Sequence, residues 1–111
     1  MFEKDLAVAA LLDVYAEVLN ARHRTVLDLY YNQDYSLGEI AAEEGISRQG
    51  VRDSIKKAED ELHFLENGLH LAARNEEIRL AGEALLSLVD EKNTELRAAA
   101  LRLLAAAGQN D

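Results

Sequence analysis

With 111 residues, no cysteine, no proline and a formal net charge of −9, the chain has the size of one small domain or a domain with an extension. The lack of thiols excludes a disulfide framework and a thiolate metal site and suits a reducing, cytoplasmic setting, while the acidic balance disfavours anionic lipid surfaces. A composition rich in alanine, leucine and glutamate points to an all-α fold.

The opening stretch "MFEKDLAVAALLDVYAEVL" does not read as a secretory signal. Glu3 and Asp5 flank a single lysine, and Asp13 and Glu17 interrupt the apolar run. Val8, Leu12, Tyr15 and Leu19 recur at helical spacing and form a predicted core face, with Glu3, Asp13, Glu17 and Asn20 elsewhere on the wheel. No window reaches the roughly 18 apolar residues that a membrane span needs, so no membrane insertion is expected. Asn20 is placed to cap a second helix through "ARHRTVLDLYYNQ", with Val26, Leu27, Tyr30 and Tyr31 as its core residues.

Ser36 then caps "LGEIAAEE", and Glu39, three residues on, completes a capping box. Gly45 in "EGIS" can take the positive φ that ends a helix, and Ser47 can cap the next one. Ala41 at the crossing, Gly45 at the turn, and Ile46, Val51 and Ile55 pointing inward make the pattern of a helix-turn-helix. The plainer reading of the same residues is an ordinary αα-hairpin.

The stretch "YYNQDYSLGEIAAEEGISRQGVRDSIKKAE" resembles the YlxM family of small bacterial proteins, and the likeness covers residues near 20 to 72. It implies a helix-turn-helix like the promoter-reading C-terminal domain of sigma factors, and a role beside the signal recognition particle. The chain departs from the family pattern at Gly50, where alanine is usual, and at Arg52, where tyrosine is frequent.

Read from the residues alone, Ser47 as cap puts Arg48, Gln49 and Arg52 in the first turns of the second motif helix, the part that reaches base edges. Arginine suits guanine and glutamine suits adenine. Arg48, Arg52 and Lys56 recur every fourth residue as a basic stripe that Lys57 widens. These six residues, from Ser47 to Lys57, are the candidate site for DNA or RNA. Against them stands the charge: residues 1 to 35 carry net −3, 36 to 66 net −4 and 67 to 111 net −2, whereas a basic domain is the usual electrostatic footprint. An acidic protein–protein adaptor that keeps the fold is the alternative.

Past the motif, Val51, Ile55, Ala58, Leu62, Leu65, Leu69 and Ala72 step by four and three. This seam predicts one helix from about Ser47 to Arg74, weakened near Gly68, with a stop at Asn67 as the alternative, and a division into a head, residues 1 to 66, and a helical extension, residues 67 to 111. Leu62, Leu65 and Leu69 are read as lying beyond the head's reach, to be covered by the chain's own helices near Ile78 to Val89 and Leu96 to Leu104 together with a twofold-related copy, hence as a homodimer seam. Asn75 is expected to cap a helix bearing Ile78, Ala81, Leu85 and Leu88. Asn93 or Thr94 should open a last one bearing Leu96, Ala100, Leu103 and Leu104, ended by Gly108.

No catalytic arrangement is visible, and no cofactor or metal is expected. His63 and His70, seven residues apart on one predicted helix, are about 10 Å apart along its axis, too far to share a metal. His23 lacks a nucleophile beside it, Glu59, Asp60 and Glu61 splay around their helix, and there is no Gly-rich phosphate loop.

Overall fold

The computed structural model describes residues 4–108, and among the described residues all regular structure is helical. Glu3, expected on the polar side of the first helix, lies outside the described residues. The described residues fall into two compact units that meet at Leu69 and His70.

In the first unit, α1 (Leu6–Tyr15) starts at Asp5, whose carboxylate accepts from the Ala7 N–H at 2.9 Å. Val8, Leu12 and Tyr15 are buried, as the spacing predicts, together with Leu11; so is Leu19, beyond a single 3₁₀ turn at Ala16–Val18. Asn20 caps α2 (Ala21–Leu27), its Oδ1 accepting from the His23 N–H at 2.8 Å. The helix then widens into a π turn, Asp28–Asn32. That turn rolls Leu29 into the core beside Tyr30 and leaves Tyr31, expected inside, half-buried. A strict 3.6-residue period does not anticipate an i→i+5 turn, which is why Leu29 was not foreseen.

α3 (Leu37–Glu44) carries the full capping box. The Glu39 N–H donates to Ser36 Oγ at 3.0 Å and the Ser36 N–H donates to the Glu39 carboxylate at 2.9 Å. Gly45, at φ 69°, ends it in the left-handed region. Ser47 opens α4 (Arg48–Leu69), its Oγ accepting from the Gly50 N–H at 2.9 Å.

α4 is the spine on which α1, α2 and α3 pack. Val51, Ile55, Ala58 and Leu62 are all fully covered. Two tyrosines tie other elements to the carboxylates beside this stripe. Tyr15 Oη donates to Glu66 Oε1 at 2.5 Å, and Tyr31 Oη donates to Glu59 while accepting from the Asp5 N–H at 3.3 Å. α1 therefore runs along the second half of α4 and closes over Leu62. This corrects the expectation that Leu62 lies beyond the head: a residue that is 0% exposed within one chain is core. Leu65 is half-buried and Leu69 half-exposed.

The long helix also stops earlier than its seam predicts. Gly68 stays helical, but His70 takes φ 56° and interrupts the helix, so α4 ends at Leu69 and Ala72 belongs to the next helix. Histidine is among the non-glycine residues that visit the left-handed region more readily than most, and the heptad spacing cannot register a one-residue interruption.

In the second unit, α5 (Leu71–Leu88) and α6 (Thr94–Ala106) pack as an antiparallel hairpin. Asn75 lies inside α5 and does not cap it. Asn93 does cap α6, accepting from the Leu96 N–H at 3.1 Å. The helices meet at Gly82, where an added Cβ would sit 2.7 Å from Leu104 Cδ2. Val89, Ala100, Leu104 and Ala107 complete this small core. The stripe of Leu85 and Leu88 in α5 is turned outward in this chain, with Leu85 40% and Leu88 84% exposed. Because Gly82 allows the closest approach, the helix turns that side inward, although glycine carries no apolar signal.

Candidate nucleic-acid interface

The capping box, Gly45 and Ser47 hold α3 and α4 as a helix-turn-helix. Arg22 of α2 reaches Glu44 at the end of α3, 3.5 Å away, and so pins the turn from a third element. Val51 and Ile55 bury one side of α4, which leaves the opposite side of its first two turns to solvent.

The predicted site residues lie beside that buried stripe and on the open side. Arg48, Gln49, Arg52, Lys56 and Lys57 are exposed, as is Ser47 at the cap. The local chemistry divides them. Gln49 Nε2 donates to Asp53 Oδ1 at 3.0 Å, and Lys56 Nζ donates to Asp60 Oδ1 at 2.9 Å. The Asp60 hydrogen bond raises the Lys56 pKa, so the ammonium is charged but engaged. Arg48, Arg52 and Lys57 have no carboxylate partner among the described residues. The stripe thus presents three unpaired cations, with two acids, Asp53 and Asp60, set one turn behind polar members.

Sequence reasoning missed one residue of this surface. Gly38, in the first turn of α3, has Arg48 laid against it. An added Cβ would come within 2.9 Å of Arg48 Nη2 and 3.1 Å of Nε. The signal was present as a glycine inside a helix, where it costs about 0.5–1 kcal/mol relative to alanine. At Gly50 an added Cβ would meet Ser47 Oγ at 3.2 Å, so this glycine leaves room for the cap oxygen.

The acids of α3 are partly committed. Glu39 is held below the usual carboxylate range by the Ser36 backbone and hydroxyl hydrogen bonds, and Glu44 by geometry faces Arg22. A cleft of about 540 Å³ lies elsewhere, between the end of α1 and the π turn, with Arg24 and Asp28 in its wall. Both Asp28 carboxylate oxygens accept from neighbouring amides, those of Asn32 and Gln33. The break at His70 removes the premise that it shares a helix with His63. Among the described residues no group of three or more His, Asp or Glu side chains could hold a metal ion, and no helix is long and apolar enough to cross a membrane.

Comparison with known proteins agrees with this geometry. Residues 2–100 match the UPF0122 family, described as "putative helix-turn-helix protein, YlxM / p13 like". A UPF0122 protein of Clostridium kluyveri is 39% identical over 98 residues, covering 85% of this chain and 88% of the relative. One of Acetivibrio thermocellus is 42% identical over 94 residues, covering 85% and 79%. One of a Thermoanaerobacter species is 45% identical over 73 residues, covering 66% and 62%. With a match over nearly its whole length, the chain belongs to the UPF0122 family of YlxM-like helix-turn-helix proteins.

Proposed function

We propose that this protein is a cytoplasmic regulator that engages DNA or RNA through the first turns of α4, in the setting of the signal recognition particle pathway. The observation that carries the reading is the pairing of a fully capped helix-turn-helix with three unpaired cations, Arg48, Arg52 and Lys57, on the exposed side of its second helix. Arg48 and Arg52 stand where such a helix meets base edges, with Gln49 between them. The pathway comes from the YlxM resemblance, and components of that particle are the partners it suggests.

The same surface supports a second reading. Asp53 and Asp60 stand on the stripe itself, and residues 36 to 66 sum to net −4. An acidic adaptor that binds a basic protein through the motif would use those carboxylates.

A titration of the full chain with mixed-sequence duplex DNA and with structured RNA separates the two. The nucleic-acid reading expects binding that Arg52→Ala weakens by about 1–3 kcal/mol where the side chain reads a base. Absence of binding to either at low ionic strength overturns it and leaves the adaptor.

A further inference from the structure

The α5–α6 hairpin has two sides, and one carries most of its exposed large apolar residues, whereas Leu80 and Leu101, 54% and 46% exposed, lie off it. On the helical wheel Ile78, Ala81, Leu85 and Leu88 lie on one flank of α5, and Leu96 and Leu103 on one flank of α6. Because the helices are antiparallel and meet through Gly82 and Leu104, those flanks fall on the same side of the hairpin. Leu85 is 40%, Leu88 84%, Leu96 43% and Leu103 41% exposed, so this side is a broad uncovered surface.

We infer that this face is the seat of a second copy of the chain, which pairs with it about a twofold axis to give a four-helix bundle. Three observations select that occupant. A unit of about 40 residues without a disulfide is at the size where folding needs a metal or association, and among the described residues no metal cluster exists. Second, the area fits. Helices of 18 and 13 residues are roughly 27 and 20 Å long. Laid side by side at about 10 Å, they offer on the order of 500 Å² in projection before side-chain relief is counted. That approaches the roughly 800 Å² per partner of a stable interface.

The third observation is charge. Arg74, Glu77, Glu95 and Arg102 border the face, all exposed and without an ion-pair partner among the described residues. Two are basic and two acidic, a neutral border on a chain of net −9. A twofold copy presents the same set, so the two borders together carry no net charge and this contact avoids the repulsion that two −9 chains meet elsewhere. An isologous twofold contact is self-complementary in this way, and two αα-hairpins pack into a bundle by the ordinary rules.

The inference does not rest on the nucleic-acid reading, and its test contains no nucleic acid. Sedimentation equilibrium of the full chain at about 10–100 µM should give twice the chain mass of 12.3 kDa. Leu88→Glu should weaken association at least tenfold. It places charge at a site already 84% exposed, so the monomer keeps its helix content by circular dichroism. Leu80→Glu, on the other side of α5 and 54% exposed, should leave the dimer unchanged. A monomeric wild type at about 100 µM overturns the inference, as does an assembly of more than two copies. So does a dimer that Leu88→Glu leaves intact, or one that Leu80→Glu disrupts equally.

Discussion

Gly38 shows how a single missing side chain shapes the motif surface. Arg48 lies flat against it, within 2.9 Å of where a Cβ would stand. Gly38→Ala should hold or raise the melting temperature, since alanine is favoured over glycine in a helix by about 0.5–1 kcal/mol, yet displace the guanidinium. Thermal denaturation and a binding titration on the same variant would separate the two effects. A loss of stability together with unchanged affinity would contradict this role for Gly38. Gly45 is the opposite case: at φ 69° a side chain is strained whatever the space, and Gly45→Ala should cost about 1 kcal/mol or more by urea denaturation.

Tyr31 links residue chemistry to pH. Burial first, then its hydrogen bond to Glu59, pushes its phenol well above the usual value, and Tyr30 moves the same way through burial. A folded-state pKa above the unfolded one favours the fold while the group is protonated. The contribution is complete below about pH 10 and is lost as pH rises through and beyond it. Urea midpoints of the wild type should therefore fall above about pH 10, and Tyr31→Phe should lower stability at neutral pH by about 1.5–3 kcal/mol, as expected for one hydrogen bond to a charged group, while flattening that alkaline decline. Equal alkaline slopes for both chains would show that Tyr31 carries none of it.

Among the elements, those with a local cap chemistry were legible. Ser36 with Glu39, Gly45, Ser47, Asn20 and Asn93 each satisfy their helix end from within four residues, so the sequence states them directly. Elements shaped by packing were not. The π turn at Asp28–Asn32 and the break at His70 leave the apolar spacing intact on paper, which is why Tyr31 and the helix to Arg74 were misplaced, while Leu62 was misplaced because α1 packs along the second half of α4. Gly82 hid the buried side of α5 because the contact consists of an absent side chain. Of the candidate site, the exposed stripe was readable from four-residue spacing, whereas its ties to Asp53 and Asp60 needed side-chain geometry. Leu62→Ala should cost about 2–5 kcal/mol, measured by chemical denaturation. A cost within about 0.5 kcal/mol, typical of a surface site, would return Leu62 to the outside of the head.

For the whole molecule the decisive balance is between a local basic stripe and a net charge of −9. Each neutralised phosphate contributes a slope of about −0.9 in log affinity against log salt on duplex DNA. Four cations, Arg48, Arg52, Lys56 and Lys57, therefore limit one motif to a slope of about −4. On the proposed nucleic-acid reading, long-range repulsion from the acidic remainder should make binding weak and confine it to this patch. The most direct test is chemical-shift mapping of the full chain, followed through backbone amides as duplex DNA or structured RNA is added. The account expects the largest shifts within residues 47 to 57, with Gly38 following and α6 unmoved. Shifts spread over acidic surfaces without a maximum on α4, or none at all at low salt, would contradict it.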